Sequence, residues 1–320
     1  MKLADFSLDK KIKNSNANFM AHTKYYLAVL IAILVAAIFV FSFLGFKKDF
    51  DYAGGTIVTV VTAEDLDNKD VYNENVKKIQ QILKDNKVET SSIQKAETSF
   101  GNALVFKILN KNNDINNSIV RSLNVVYSYE STDILEKNYV TATGANATAI
   151  YETKMASIIV AAMIVAVAIY VIFRYSLLAS LAYLITSLVD VLMVIAATIV
   201  CRIPINVNFT TAVIVVFALS TIFKMLLFNQ LKLNLKNENL KALSKHEQVI
   251  LADKEIFSIL TIIVAISLIA LVLLAGLGTM QIRSFALITM IGVVISALTT
   301  FYFTAYLYDI INFKKKSRKK

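Results

Sequence analysis

Six long apolar stretches divide the chain, and polar segments separate them from one another. They lie at residues 25–46, 154–173, 177–200, 209–228, 256–275 and 285–311. A helix needs about 20 apolar residues to cross the hydrocarbon core of a bilayer, and every stretch reaches that length. With one proline and eight glycines in 320 residues, the chain has few helix breakers. The sequence therefore predicts an all-α membrane bundle of six transmembrane helices.

The first apolar stretch is predicted to be a retained span. It follows 24 polar or mixed residues, and no small-residue cleavage site precedes its charged end at Lys47 and Lys48. A secretory signal peptide would carry such a site after a shorter apolar region. Residues 25–46 are therefore expected to stay in the membrane.

The distribution of Lys and Arg predicts which side of the membrane each segment occupies. Basic residues are concentrated in the N-terminal segment 1–24, the loop 229–255 and the tail 313–320, whereas the loops near Arg202 and Arg283 hold one arginine each. Lys and Arg collect on the cytoplasmic side of membrane proteins. Both termini and the loop 229–255 are therefore predicted to be cytoplasmic, which explains the net charge of +10 better than a nucleic-acid partner does.

Residues 47–153, between the first two spans, are predicted to form an exported domain with a core of its own. The apolar periodicities and turn residues predict strand, helix, strand, strand, helix and strand. These elements are expected at residues 56–62, 73–85, 92–98, 103–109, 115–123 and 139–142, with a Gly101-Asn102 turn before the third strand. The order is that of a ferredoxin-like split βαβ unit. The predicted fold is thus the six-helix bundle with an inserted α+β ferredoxin-like domain between helices 1 and 2.

Signatures of an enzyme, a metal site or a cofactor site are missing from the sequence. His22 and His246 are isolated from each other, and no glycine-rich phosphate loop is present. The single cysteine, Cys201, has no nearby base and excludes a disulfide within one chain. We therefore expect a protein that is not an enzyme and binds neither a cofactor nor a metal.

Asp190 is the most informative single residue, because it lies near the middle of the third apolar stretch. A charged side chain at this depth costs roughly 2.5–3.5 kcal/mol on insertion scales and usually faces a polar interior or a partner. Such surroundings disfavour the charged carboxylate, as a reversible proton carrier near neutral pH requires. Asp190 is therefore a candidate proton relay. The alternative is a neutral, hydrogen-bonded residue that only packs two helices together.

The fourth stretch carries the other intramembrane charge, Lys224. Asp190 is predicted to lie about 18 Å from the cytoplasmic end of its helix, and Lys224 only about 6 Å from the end of its own, at 1.5 Å per residue. A direct ion pair is therefore not expected, and Lys224 is predicted to extend to the cytoplasmic interface. Ser220, Thr221 and Asn229 are candidates for hydrogen bonds between helices or for a polar path, with ordinary packing as the alternative.

Gly54 and Gly55 stand where the first span leads into the first predicted strand. Glycine permits a tight turn there, and one interpretation is that movement of the membrane helices reaches the exported domain through this turn. The alternative is a turn with no role in transmission. Arg174, directly after the second span, is expected to be a cytoplasmic anchor.

Several short runs, in order, resemble the SecF subunit of the bacterial protein-export machinery, which has the resistance-nodulation-division type of membrane fold. The resemblance covers residues 25–312. The matching positions are Asp51-Tyr52-Ala53-Gly54-Gly55-Thr56, Ile169-Tyr170-Val171-Ile172-Phe173-Arg174-Tyr175, Asp190 and Met290-Ile291-Gly292-Val293. The family's plan is one helix, an exported ferredoxin-like domain and then five helices.

The resemblance implies a subunit that works with SecD beside the SecYEG channel and uses proton flow to help move exported polypeptides outward. The sequence departs from the family at two positions of that mechanism. Phe223 stands where the fourth-helix motif has its acid, and Ile259 stands where the fifth helix has an arginine. Either a SecD-like partner or Asp190 carries the proton step, or the subunit has lost coupling and serves as a scaffold.

The function predicted from the sequence is that of an accessory subunit of protein export in the bacterial cytoplasmic membrane. Its expected partners are a SecD-like subunit, the SecYEG channel, exported polypeptides and the lipid bilayer, and no nucleic acid. The alternatives are a small-solute or lipid exporter of the same superfamily and a membrane assembly scaffold without transport. An exporter needs a polar path through the bundle, for which only Asp190 and a few hydroxyl groups are available.

Overall fold

The computed structural model describes residues 18–62, 64–88, 90–98, 101–108, 113–127, 140–143, 147–240, 242–278 and 280–317. The predicted basic N-terminus up to residue 17, Leu109, Tyr139, Lys241 and the last three residues of the tail lie outside these ranges. The chain divides into two compact units, and the smaller one comprises residues 48–152 together with 205–207.

Apart from an unpredicted helix of 4 residues before the first strand, the helices and strands follow one another in the order that the sequence predicts. In chain order they are α1 (Thr23–Leu44), α2 (Phe50–Ala53), β1 (Gly55–Val61), α3 (Lys69–Asp85), β2 (Thr90–Thr98), β3 (Gly101–Ile108), α4 (Asn113–Tyr127), β4 (Val140–Thr143), α5 (Ala147–Arg174), α6 (Leu177–Val200), α7 (Asn208–Lys236), α8 (Lys245–Leu277), α9 (Met280–Leu298) and α10 (Ala305–Ser317). A π-helical turn, Thr299–Thr304, joins α9 to α10.

Six helical segments of the described chain are long and apolar enough to cross a membrane, which confirms the predicted number. They are Phe19–Leu44, Thr153–Arg174, Leu177–Val200, Asn208–Lys236, Lys245–Leu277 and Ile282–Asn312. In α6, α7 and the last span, half or more of the residues in the most apolar segment are buried within the protein. In the first span and in α8 only 11% and 17% of the corresponding segment is buried, so less of these two helices packs inside the bundle.

The fourth and fifth spans are longer than their apolar stretches, so the predicted helix ends were wrong. Helix α7 continues to Lys236 because its polar last turns are stabilised from α8: Gln230 and Asn234 both donate to the Glu255 carboxylate, at 2.7 and 2.9 Å. Helix α8 begins at Lys245, where Ser244 and Glu247 form a capping box. A hydropathy pattern marks only the apolar part of a helix, which spans the bilayer core. The polar turns of α7 and α8 lie outside that part.

Close backbone approach holds α9 against α7. A Cβ atom built at Gly292 would lie 2.3 Å from Val216 Cγ2, so only glycine permits this contact. Small residues at helix interfaces allow such approach in membrane proteins. The pair therefore positions α7, which carries part of the candidate site.

The smaller unit contains a four-stranded sheet in the order β2-β3-β1-β4, with every neighbouring pair antiparallel. Alternate side chains of the central strands, such as Val58 and Phe106, point to one face and pack with Ile79 of α3 and Ile119 of α4. The element order β-α-β-β-α-β is as predicted. Residues 205–207 join this unit through a hydrogen bond from the Asp49 amide to the Ile205 carbonyl, 3.0 Å long.

Backbone geometry explains the two adjacent glycines before β1. Gly54 ends α2 with φ of +69°, in the left-handed region that favours glycine. A Cβ atom at Gly55 would lie 2.0 Å from the Ile108 carbonyl oxygen of β3. The turn thus requires glycine at both positions. A role for it in transmission stays a prediction.

Candidate functional site

The candidate site is a buried polar cluster formed by Ser187 and Asp190 of α6 with Ser220 and Lys224 of α7. Residues spaced three or four apart share one face of a helix, so each helix presents two polar side chains to the other. The Lys224 Nζ–Asp190 Oδ2 distance is 2.6 Å, and Ser220 Oγ donates to the same carboxylate oxygen at 2.5 Å. Asp190 is 1% exposed and Lys224 is fully buried. The cluster is therefore a buried ion pair in which a hydroxyl group links both partners.

All three ammonium hydrogens of Lys224 have an acceptor in the cluster. They are donated to Asp190 Oδ2, to Ser220 Oγ at 2.6 Å and to Ser187 Oγ at 3.2 Å. The other carboxylate oxygen, Asp190 Oδ1, is buried and has no hydrogen-bond partner among the described residues. Every donor of the Lys224 ammonium group is therefore hydrogen-bonded, whereas the Asp190 carboxylate keeps one unpaired oxygen that can accept a proton or a hydrogen bond.

The structure contradicts the prediction that Lys224 extends to the membrane interface without pairing with Asp190. Lys224 lies 12 residues before Lys236, where α7 ends, and Asp190 lies 13 residues after Leu177, where α6 begins. At 1.5 Å per residue these distances are about 18 and 20 Å. The two charges lie at the same depth because α7 continues past the end of its apolar stretch. The error came from the helix end and not from the chemistry of the two side chains.

A second layer of polar groups surrounds the ammonium group of Lys224. Its Nζ atom lies 5.8 Å from the centre of the buried Tyr183 ring, a cation–π distance. The Tyr183 hydroxyl is 3.0 Å from Thr221 Oγ1, which itself donates to the Phe217 carbonyl at 2.9 Å. Sequence reasoning missed Ser187 and Tyr183, although both lie on the Asp190 face of α6, three and seven residues before it.

The remaining predicted site residue of α7, Asn229, is exposed and does not belong to the cluster. The two positions at which the sequence departs from the SecF pattern differ in their surroundings. Phe223 is fully buried, but Ile259 is 54% exposed. The cation of the site is Lys224 of α7, which directly follows Phe223, the residue at the position of the family's acid.

Hydroxyl groups of α1 and the last span lie near the cluster. The Tyr26 hydroxyl is 2.7 Å from Thr299 Oγ1 and lies within electrostatic range of Asp190. Thr299 opens the π-helical turn, in which Thr304 Oγ1 donates to the Thr299 carbonyl five residues earlier, at 3.2 Å. Single π-helical turns inside longer helices often mark functional positions. Sequence patterns gave no sign of this turn.

A further buried acid of the spanning helices, Asp253 of α8, was missed because the sequence placed it in a cytoplasmic loop. It is 1% exposed, and neither carboxylate oxygen has a hydrogen-bond partner among the described residues. In the part of the chain that the structure describes, no three His, Cys, Asp or Glu side chains could hold a metal ion together. Of these two acids, Asp190 has a cation beside it and Asp253 has no hydrogen-bond partner among the described residues.

Comparison with known proteins gives two kinds of match. Residues 124–314 match the family described as protein export membrane protein SecD/SecF, C-terminal. A crystal structure of SecDF in super-membrane-facing form aligns with a TM-score of 0.71 at 17% identity, covering 96% of this chain and 40% of that one. A crystal structure of SecDF from Thermus thermophilus, described as a translocon-associated membrane protein, aligns with a TM-score of 0.61, also at 17% identity, over 96% and 39% of the two chains.

These structural matches show a shared fold, and the chain spans about two fifths of the length of the SecDF chains that it matches. No curated protein sequence matches significantly.

Proposed function

Because the chain belongs to the SecD/SecF family of protein export membrane proteins, we propose that it is the SecF-type accessory subunit of the Sec export machinery in the bacterial cytoplasmic membrane. It is a non-enzymatic subunit that assists the passage of polypeptides across that membrane. Its partners are a SecD-like subunit and the SecYEG channel.

The arrangement of the spans agrees with the plan of the SecF type, which is one helix, a domain and then five helices. One span precedes the smaller unit and five follow it. The antiparallel strand order β4-β1-β3-β2 supports a ferredoxin-like domain. With both termini in the cytoplasm, as the loop charges predict, this domain is exported and contacts the emerging polypeptide. The Gly54-Gly55 turn transmits movement to it from the membrane helices.

The open oxygen of Asp190 is the observation that carries the proposed proton step. Oδ1 has no hydrogen-bond partner among the described residues, while Oδ2 accepts from Ser220 and Lys224. A proton can therefore bind Oδ1 without breaking any hydrogen bond of Lys224. Intramembrane acids in the interior of a helix bundle commonly serve proton transfer. Asp190 is accordingly the proton carrier, and Lys224 is the positioning residue that holds its carboxylate.

Protonation changes the charge balance of the cluster. The Asp190 carboxylate and the Lys224 ammonium are together neutral, and a bound proton gives this fully buried site a net charge of +1. An uncompensated buried charge destabilises the packing around it. The contact between α6 and α7 then loosens, and release of the proton restores it. This alternation would couple proton flow to movement of the bundle.

Replacement of Asp190 by Asn tests the proton step, because the amide keeps the shape of the side chain but cannot carry the proton. The variant is reconstituted with its copurified partners in liposomes, and export of a translocation substrate is measured with and without an imposed proton gradient. We expect the gradient-stimulated part of export to disappear while gradient-independent export persists. Asp253→Asn, the same change in another buried acid of the spanning helices, is expected to retain gradient stimulation.

Unchanged gradient dependence in Asp190→Asn would refute the Asp190 relay and leave the SecD-like partner or a scaffold role. The export role itself is tested separately, by purifying the tagged protein in mild detergent and identifying its stoichiometric partners by mass spectrometry. We expect a SecD-like subunit and the SecY channel. Recovery of the chain alone, or with a lipid-handling partner, would overturn the export role in favour of an exporter or a scaffold.

A further inference from the structure

A cavity of about 710 Å³ opens at the end of the bundle where α5 ends and α6 begins. It is enclosed by the first turn of α6, the last turns of α7, the beginning of α8 and the end of α10. All of its lining residues belong to the larger unit. On α6 the lining ends at Ala179, about 16 Å along the helix before Asp190, and on α7 it begins at Phe228, one turn after Lys224.

The lining of the cavity combines an apolar floor with a basic rim. The floor is formed by side chains such as Leu178, Phe228 and Leu231. The rim carries three lysines, and no Asp or Glu contributes to the lining: Lys232, Lys236, Lys245. A ligand that fits must therefore present a negative charge and an apolar portion side by side.

Lys232 is held in place at the rim. It donates to the Arg174 carbonyl at 2.7 Å, and its Nζ atom lies 5.6 Å from the centre of the Tyr175 ring. Lys236 and Lys245 are exposed, and neither has a carboxylate partner among the described residues. Three cations thus face one opening, and no carboxylate group lines it among the residues that the structure describes.

We propose that this cavity, named here the basic cavity, binds an anionic phospholipid. The headgroup phosphate lies between the three lysines, and the beginning of an acyl chain lies on the apolar floor. Basic pockets between transmembrane helices on the cytoplasmic side bind anionic headgroups. The basic cavity lies at the end of the bundle whose loop charges predict the cytoplasm. A free phosphate ion would leave the apolar floor uncovered, which favours the lipid, and the site does not depend on the proposed export function.

The test titrates the purified full-length protein in detergent with dioleoylphosphatidylglycerol and measures bound lipid by native mass spectrometry. We expect saturable binding of the anionic lipid and no comparable binding of dioleoylphosphatidylcholine. Replacement of Lys232, Lys236 and Lys245 by Gln is expected to weaken binding about fivefold for each lysine, or roughly 100-fold together. The same change at the exposed Lys69, Lys77 and Lys84 of α3 is expected to leave binding unchanged.

A steric pair of variants distinguishes the cavity from general attraction to a basic surface. Leu235 and Leu233 of the same helix are both exposed, at 41% and 54%, but only Leu235 lines the basic cavity. Leu235→Trp is expected to weaken lipid binding at least tenfold, and Leu233→Trp is expected to leave it unchanged.

Three results would overturn the proposal. The first is equal affinity for the anionic lipid and for dioleoylphosphatidylcholine. The second is unchanged lipid affinity in the triple lysine variant, and the third is an equal effect of Leu235→Trp and Leu233→Trp on lipid affinity. Displacement of the lipid by inorganic phosphate at millimolar concentration would show a phosphate site and would also overturn it.

Discussion

Replacing Lys224 by Met should destabilise the protein strongly, and the loss should depend on pH. Methionine preserves the length of the side chain but leaves the Asp190 carboxylate buried without its cation. Breaking a buried ion pair by removing one partner costs about 3–5 kcal/mol. Asp190 can limit this cost by folding in its neutral form. Taking up a proton at pH 7 costs about 4 kcal/mol for a group that titrates near 3.9 in the unfolded chain, at 1.36 kcal/mol per unit. We therefore expect a loss of about 4 kcal/mol at pH 7.

The pH dependence follows from the number of bound protons. The folded variant would bind one proton more than its unfolded chain above pH 4, so its stability should rise as the pH falls. The cost of protonation shrinks by 1.36 kcal/mol per unit, and at pH 5 the loss should be only about 1.5 kcal/mol.

Reversible unfolding in mixed detergent micelles at pH 7 and pH 5 measures both quantities. Lys236→Met, at an exposed lysine of the same helix, should change the free energy of unfolding by less than about 0.5 kcal/mol at either pH. The double variant Asp190→Leu with Lys224→Met should recover most of the stability, because an apolar pair often replaces a buried ion pair at little cost. Wild-type stability of Lys224→Met would refute the buried pair. An equal loss at both pH values would show lost packing instead of an unpaired charge.

Three further predictions concern backbone contacts. Gly292→Ala should lower the free energy of unfolding by about 1–3 kcal/mol because its methyl group would overlap Val216. Adding Val216→Ala should recover most of this loss. The control Gly276→Ala should cause no loss, because a Cβ atom at Gly276 meets nothing within 4 Å. Gly55→Val should expose the smaller unit to limited proteolysis, since β1 could no longer approach the backbone of β3; resistance equal to the wild type would contradict the register. Ser244→Ala should cost about 1 kcal/mol and speed amide exchange in the first turn of α8, and unchanged exchange there would argue against the capping box.

The six spans could be predicted from sequence because the bilayer imposes a length and a composition on every spanning helix. The third predicted stretch, 177–200, coincides with α6. The domain between the first two spans could be outlined in the same way, since period-two and helical patterns alternate clearly there. Its last strand, Val140–Thr143, was the least marked by pattern and is the shortest in the sheet.

The sequence predicted Asp190 as a site residue but not its ion pair with Lys224. Asp190 was recognisable because a carboxylate inside an apolar stretch is costly and rare. Its partner was misjudged because the end of α7 depends on hydrogen bonds to Glu255 of α8, which is distant in sequence. Asp253 was missed for the same reason, since α8 begins before its apolar stretch.

The amino-acid sequence alone was sufficient for the number of spans, the inserted domain and the position of Asp190, because each follows from local hydropathy and spacing. Tertiary structure decided that Lys224 meets Asp190, that Ser187 completes the cluster and that Asp190 Oδ1 stays open. These features depend on the relative depth and rotation of α6 and α7. Depth and rotation are set by packing with other helices, such as the contact of Gly292 with Val216, and no local pattern encodes them.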